Sequence, residues 1–362
     1  MLNKESVVVG VDVHKYSHTA VALDAWGQEK GTLEFSNDSL PEYATWLGSL
    51  GEKPNIVVAL EDVNCYGVHL VEELRKNGWN IRYVPAILTE RERKQSTTRH
   101  KSDYADAKRV GKVMLTKYEE TLPAREGIAT ETELRAAQAL DLLLMERRDL
   151  VREKTILKNQ LHGLLHQYYG DHYTDQFKKT FHKDSVAFYE HDLAGGGRNS
   201  SETKIILAGG IVRRLKRLTL LEKQIVVISK EITMIGSESP AVQALAETIH
   251  GCGMVTACAI IAELTTIKRF DSRDKLAMYA GVAPIEHSSG RKVKLHTNPF
   301  GNRRFNKALH VIALSQIACK GDERGRVYYQ KKLAEGKTKL WALRCLKRQI
   351  AKIVFRILKA AA

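Results

Sequence analysis

Carboxylates that close apolar runs are the first residues in this chain whose type and position could do chemistry. The run Ser6-Val7-Val8-Val9-Gly10-Val11-Asp12-Val13-His14 reads as a buried central strand carrying an acid near its end. An isolated ionised carboxylate there would cost several kcal/mol unless something compensates it, and a divalent cation is the usual compensation. The other reading is that Asp12 opens a turn. A second run, Asn55-Ile56-Val57-Val58-Ala59-Leu60, ends at Glu61-Asp62, and a helix-like segment near residue 103 carries Asp103 and Asp106. At i, i+3 those two share a helix face, where they either look into water or hold a cation together with Asp12 and Glu61. The order D, E, D-x-x-D fits a two-metal nuclease site, in which carboxylates hold two Mg²⁺ ions about 3.5 to 4 Å apart for phosphodiester chemistry.

The elements that must position these acids follow from spacing. Residues 6–37 read as three short strands in an antiparallel meander, broken at Gly27 and Gly31. A helix follows, entered at Asn37-Asp38-Ser39 with Pro41 in its first turn, and then the strand ending at Glu61. A second helix over about 66–76 stops at Asn77-Gly78 and gives way to the strand Ile81-Arg82-Tyr83-Val84. Three strands, helix, strand, helix, strand and an acid-bearing helix is the order of the ribonuclease H-like fold, predicting an α/β domain over residues 1–125. From about 131 to 166 a helical stripe runs through Leu140, Leu143, Leu150, Leu157, Leu161 and Leu164. A second runs through Ile211, Leu215, Leu218, Ile225, Ile228, Ile232 and Ile235. Two long helices joined by roughly 40 irregular residues predict a coiled-coil segment over 126–239, closed on itself or zipped to another protomer. An ordinary helical bundle is the other reading. Arg147, Lys154 and Glu222 fall in its seams.

Charge is divided unevenly. The 362 residues carry a net charge of +15, and residues 241–362 alone hold 23 Lys or Arg against 8 Asp or Glu. The first 240 residues balance at 34 of each sign. A basic domain over 240–362 beside a neutral acid-bearing one points to a grip on a polyanion, with a plain solubilising face as the alternative. The five cysteines are scattered without C-x-x-C spacing, which argues against a disulfide framework or a zinc site and for a reducing cytoplasm. Charge at Lys4 and Glu5, and the lack of an apolar run of about 18 residues, predict a soluble chain with no signal peptide and no membrane partner.

The basic domain opens with Ile249-His250-Gly251-Cys252-Gly253-Met254, a glycine turn into a helix resembling a helix-hairpin-helix, which aims backbone N–H groups at phosphate. Beyond it lie Tyr279-Ala280-Gly281-Val282-Ala283-Pro284 with Ser288-Ser289-Gly290, and Gly301-Asn302-Arg303-Arg304-Phe305-Asn306-Lys307. Taken in order, V-G-V-D-V-H-K, E-D-V-N-C-Y-G, K-S-D-x-x-D-A, I-x-G-C-G, Y-A-G-V-A-P-x-E-x-S-S-G and G-N-R-R-F-N-K-A-L-H span nearly the whole chain. The set resembles the DEDD-type insertion-sequence transposases related to the Piv DNA invertases, which are bridge-RNA-guided serine recombinases. The resemblance implies a RuvC-like N-terminal domain whose carboxylates Asp12, Glu61, Asp103 and Asp106 bind Mg²⁺, Mn²⁺ being equally suited to oxygen ligands. It also implies a mainly α C-terminal domain in which Ser289, or Ser288 one position earlier, is the nucleophile. DNA and a structured guide RNA are the implied partners, in a dimer or tetramer that is cytoplasmic and nucleoid-associated when bound to DNA. Residues 168–200 match no motif of the family.

A serine hydroxyl is a poor nucleophile until a base or a metal activates it. Attack by Ser289 on a phosphodiester would leave a covalent protein–DNA phosphoester and conserve the bond for rejoining. The contrasting reading is a resolvase-like nuclease of the Holliday-junction type, in which water attacks and the serine only binds phosphate. A third is a nucleic-acid-binding protein without catalysis.

Overall fold

The computed structural model describes residues 2–61, 66–95, 102–124, 128–175, 177, 179–194, 201–289, 292–298, 301–318 and 323–361. Contacts divide the chain into two units. One comprises residues 1–137, 244–252 and 263–362, and the other residues 138–243 and 253–262.

The first unit is built on a six-stranded sheet. Strands β1 (Val7–Val13), β2 (Ser17–Asp24) and β3 (Glu29–Ser36) form the antiparallel meander. Helix α1 (Leu40–Ser49) leads to β4 (Ile56–Leu60), and α2 (Val68–Lys76) leads to β5 (Asn80–Tyr83). Helices α3 (Ala86–Gln95) and α4 (Asp103–Thr116) precede the two-residue strand β6 (Leu122–Pro123). The strand order is β3-β2-β1-β4-β5-β6, with β4 parallel to β1 and to β5, and β6 antiparallel at the edge. This mixed sheet is consistent with the expected ribonuclease H-like domain. Both faces of β1 and β4 are covered, which is why their sequences run almost continuously apolar. Val9, Val11, Val58 and Leu60 pack with Tyr43 and Leu47 of α1 and Leu70 and Leu74 of α2. Val8, Val57 and Ala59 pack on the other side with Leu88 of α3 and Val110, Val113 and Met114 of α4.

The rest is mainly helical. Helix α5 (Glu131–Tyr169) enters the second unit, which contains α6 (Lys183–Ala194) and α7 (Glu202–Ser237). There α5 and α7 lie antiparallel. Leu157, Leu161 and Leu165 share a core with Ile211, Leu215 and Leu218, while Arg147 Nε donates to Ser229 Oγ at 2.9 Å and Lys158 pairs with Glu222 at 3.6 Å. The connection is more ordered than its sequence suggested. It contains α6, and Tyr189 and Leu193 of that helix are buried in the same core. The spacing Val186, Tyr189, Leu193 is helical, but it sits among histidines and aromatics that mask the stripe.

A glycine turn joins α8 (Pro240–Thr248) to α9 (Met254–Leu264). Gly251 there has φ +82°, and a Cβ at that position would stand 2.6 Å from Ser315 Cβ. Helix α10 (Arg273–Tyr279), the hairpin β7 (Pro284–Ser289) and β8 (Lys292–Thr297), then α11 (Arg303–Ile317), α12 (Glu323–Ala334) and α13 (Lys339–Ala360) complete the first unit. Among the described residues, no helix is long and apolar enough to cross a membrane.

Candidate metal centre

Alternation along a strand decides which side of the sheet each acid faces. On β1, Val7, Val9 and Val11 point to the α1–α2 side, so Val8, Gly10 and Asp12 point to α4. On β4, Ile56, Val58 and Leu60 take the α1–α2 side, which leaves Val57, Ala59 and, one step past the strand, Glu61 on the other. The parallel register pairs Val11 with Leu60, so Asp12 and Glu61 are neighbours at the carboxyl ends of adjacent strands. Both are only partly exposed.

Helix α4 brings the other two acids to the same place. Asp103, Asp106, Val110 and Val113 recur at helical spacing, and Val110, Val113 and Met114 are buried against the sheet. Fully burying each such side chain contributes roughly 1.5 to 3 kcal/mol, whereas like charges at i, i+3 repel by a few tenths. The apolar stripe therefore wins and carries the acids in its first turn to the sheet side instead of to water. Ser102 caps the helix, its Oγ accepting from Ala105 N at 3.2 Å, and the positive end of the helix dipole favours the two carboxylates there. Close approach needs Gly10. A Cβ on it would lie 2.2 Å from the carbonyl oxygen of Ala107 and 2.4 Å from the amide nitrogen of Gly111.

The electrostatics are those of crowded acids. Burial pushes the Asp12 carboxyl above its ordinary range, with Asp106 and Asp103 adding repulsion that His14 partly offsets. Burial likewise raises Glu61, with Asp12 and Asp106 adding to it, against a hydrogen bond with Thr89 and the charge of Arg93. Asp106 is paired with the buried guanidinium of Arg109, three residues on. His14 Nε2 lies 3.2 Å from Asp12 Oδ2 and 3.3 Å from Asp103 Oδ1. Among the described residues, Asp12, His14 and Asp103 form a group whose ligand atoms all lie within 4.8 Å of one another. A donor set of hard carboxylate oxygens and one imidazole, with carboxyls raised by burial and mutual repulsion, fits a divalent cation.

The four acids expected from the sequence therefore stand near one another, but the group whose ligand atoms lie within 4.8 Å takes only Asp12 and Asp103 of them, with His14; Glu61 and Asp106 stand outside it. Three neighbours were not expected. His14 is two residues past Asp12, just beyond the end of β1, and Arg109 is three past Asp106 on one helix face, so both spacings were visible in principle. Thr89 comes from α3, whose only sequence cue was Pro85 before its start.

Ser288 and Ser289 are paired in the hairpin with Val293 and Lys292, and their side chains lie outside the described residues. The base of that hairpin is closed by two sequence motifs. Gly281, at φ +66°, lies against Gly301 so closely that a Cβ on Gly301 would stand 2.4 Å from Gly281 Cα. Asn302 donates from its backbone to Tyr279 O at 2.7 Å and from Nδ2 to Glu263 Oε2 at 2.7 Å. Asn306 Nδ2 donates to Ala280 O at 2.6 Å, and Lys347 Nζ donates to Asn306 Oδ1 at 2.7 Å.

Comparison with known proteins points to transposases. Residues 9–170, which hold all four acids, match the family described as DEDD transposase of IS110, and residues 243–330 match the transposase IS116/IS110/IS902 family. The chain belongs to the DEDD insertion-sequence transposases of the IS110 family. It is 24% identical to the insertion element IS110 uncharacterized 43.6 kDa protein of Streptomyces coelicolor, over 98% of this chain and 94% of that one. It is 22% identical to the IS116 uncharacterized 44.8 kDa protein of Streptomyces clavuligerus, over 98% and 95% respectively. A transposase for insertion sequence element IS1111A of Coxiella burnetii is 29% identical over 43% of this chain and 40% of its own length. DEDD transposases typically use a divalent metal, and the Asp12–His14–Asp103 group is where this IS110-family chain could hold one.

Proposed function

We propose that this IS110-family chain cuts and rejoins DNA strands, with Asp12, Glu61, Asp103 and Asp106 holding Mg²⁺ or Mn²⁺ and Ser289 as nucleophile. The observation that supports it is the nearness of the four acids at the carboxyl ends of β1 and β4 and the first turn of α4. A bound divalent ion supplies Lewis-acid neutralisation of charge that develops on the phosphoryl oxygens. The chain's own residues do the positioning. Arg109 holds Asp106, Thr89 holds Glu61, and Gly10 lets α4 bring its carboxylates down onto Asp12.

Residues 1–125 serve as the RuvC-like catalytic domain, 126–239 as a coiled-coil segment for assembly, and 240–362 as the basic domain that presents the serine. The hydroxyl of Ser289 attacks a phosphodiester, a 3′ or 5′ oxygen leaves, and the protein–DNA phosphoester is later reversed onto another strand without ATP. A structured guide RNA selects the sites, and a dimer or tetramer brings them together on cytoplasmic DNA.

The test is a nicked suicide substrate incubated with the full chain and Mg²⁺. A denaturant-resistant protein–DNA adduct through Ser289 is expected, lost in Ser289→Ala and retained in Ser288→Ala. Asp12→Ala, Glu61→Ala, Asp103→Ala and Asp106→Ala should each abolish cleavage while DNA binding persists, because phosphoryl transfer tolerates little misplacement. Cleavage by Ser289→Ala that releases free ends, with no adduct in either protein, would make water the nucleophile.

A further inference from the structure

We infer that His14 is a nitrogen ligand of the cation held by Asp12 and Asp103, so that the centre favours divalent first-row transition ions, Mn²⁺ among them, over Mg²⁺. The inference rests on the reading of this centre as a metal site. His14 lies two residues after Asp12, one step past the end of β1, and its Nε2 reaches the carboxylates of both Asp12 and Asp103. Its Nε2 stands between two carboxylate oxygens at nearly equal distances, 3.2 Å from Asp12 and 3.3 Å from Asp103.

Those distances suit a bridging imidazole in two ways, as a proton donor and as a metal ligand beside the carboxylates. A charge-assisted N–H···O bond contracts to about 2.7–2.9 Å, and the single proton on a ring nitrogen, fixed in the ring plane, aims at one acceptor. His14 Nε2 is at hydrogen-bond distance from Asp12 Oδ2, 3.2 Å, and stands 3.3 Å from Asp103 Oδ1, so it bridges the two carboxylates. Adjacent ligands around a six-coordinate ion with bonds of about 2.1–2.3 Å stand about 3.0–3.3 Å apart, a range that includes both separations. The three ligand atoms all lie within 4.8 Å of one another, close enough for one ion to take all three.

The chemical consequence follows from donor type. Mg²⁺ takes oxygen ligands and keeps several waters, so an imidazole adds little to its binding. First-row transition ions gain from imidazole nitrogen, and His is the commonest side chain to supply it. A site of carboxylate oxygens and one imidazole should therefore separate Mn²⁺ from Mg²⁺ where an all-carboxylate site would barely do so.

The experiment titrates the full chain with MnCl₂, counting bound Mn²⁺ by electron paramagnetic resonance, repeats the titration against competing MgCl₂, and records electron spin-echo modulation on the bound ion. The wild type should show ¹⁴N modulation from a directly coordinated imidazole. In His14→Ala that modulation should vanish, and Mn²⁺ affinity should fall about tenfold or more while Mg²⁺ affinity changes less than twofold. His14→Gln, which keeps a polar side chain at this exposed position, should also lose the modulation. Bound Mn²⁺ without ¹⁴N modulation in the wild type, or unchanged Mn²⁺ affinity in His14→Ala, would overturn the ligand assignment while leaving the carboxylate centre intact. Identical Mn²⁺ retention by wild type and Asp12→Ala would overturn the metal reading itself.

Discussion

The ammonium of Lys347 ends among the C-terminal helices, its Nζ on Asn306 Oδ1 and its side chain only 8% exposed. Burial, with the nearby charge of Arg344, pulls its pKa down to about 8. In the unfolded chain a lysine titrates near 10.4. Between about pH 8 and 10.4 the unfolded state therefore binds more protons than the folded one, so this group makes stability rise with pH over that window; below it the charged amine is a standing cost. Subtracting Lys347→Met from wild type in a denaturant series at pH 7, 8, 9 and 10 should isolate that rise, with the variant flat across it. A difference that does not change with pH would mean the amine is as well solvated folded as unfolded. The residue matters to the site because it steadies Asn306, which in turn holds Ala280 O at the foot of the serine hairpin. The sequence showed the N-x-x-x-N motif of α11 but not Lys347, which lies 41 residues beyond Asn306. A partner that distant leaves no spacing to read.

The seat of helix α4 on β1 and β2 sets where two of the four acids stand. Gly10→Ala places a Cβ against backbone atoms of Ala107 and Gly111, and neither can rotate away as a side chain would. Overpacking of this kind costs typically about 1–3 kcal/mol and more where only backbone can yield. The expected result is a destabilisation of at least about 3 kcal/mol in thermal or denaturant unfolding. Where the fold survives, an α4 displaced by about 1 Å should lower strand cleavage about 100-fold, with DNA binding retained. Full cleavage by a stable Gly10→Ala protein would show that the acids do not need this close approach. At this scale the sequence was legible where pattern and burial agree. The meander, the strand ending at Glu61 and the D-x-x-D helix were read from the sequence, whereas the parallel pairing of β1 with β4 came with the structure. It was least legible where pattern is diluted: α3 has few apolar residues among Glu, Arg and Lys, and α6 lies among histidines. Thr89 reaches Glu61 from α3, so one contact of the centre was hidden with its helix.

At the scale of the whole molecule, most of the basic third is folded into the same unit as the neutral sheet, which sets how its charge can be tested. Removing it as a fragment would break packing such as Arg269 Nε on Pro123 O at 3.1 Å, a bond from the C-terminal part to the sheet edge. The field must instead be probed in the full chain. Helix α11 begins with Arg303 and Arg304 and has Lys307 in its second turn, with no acid in its first. Cations in the first turn oppose the dipole by about 0.3–1 kcal/mol each, so Arg303 and Arg304 cost stability where they stand. A polyanion bound there would repay that cost. Arg303 and Lys307 are exposed and four residues apart, hence on one face. If both contact duplex phosphates, each releases counterions and contributes a slope of roughly −0.9 in log K against log salt. The double variant Arg303→Ala/Lys307→Ala should therefore flatten that slope by about 1.8 when binding to duplex DNA is measured from low to moderate salt. A control pair on the neutral sheet domain, Lys30→Ala/Lys76→Ala, also exposed, should leave it unchanged. Equal slopes for both double variants and wild type would place the phosphate grip elsewhere than on α11. A loss shared equally by the two pairs would instead make the field a property of net charge, with no face of the C-terminal helices favoured over the sheet.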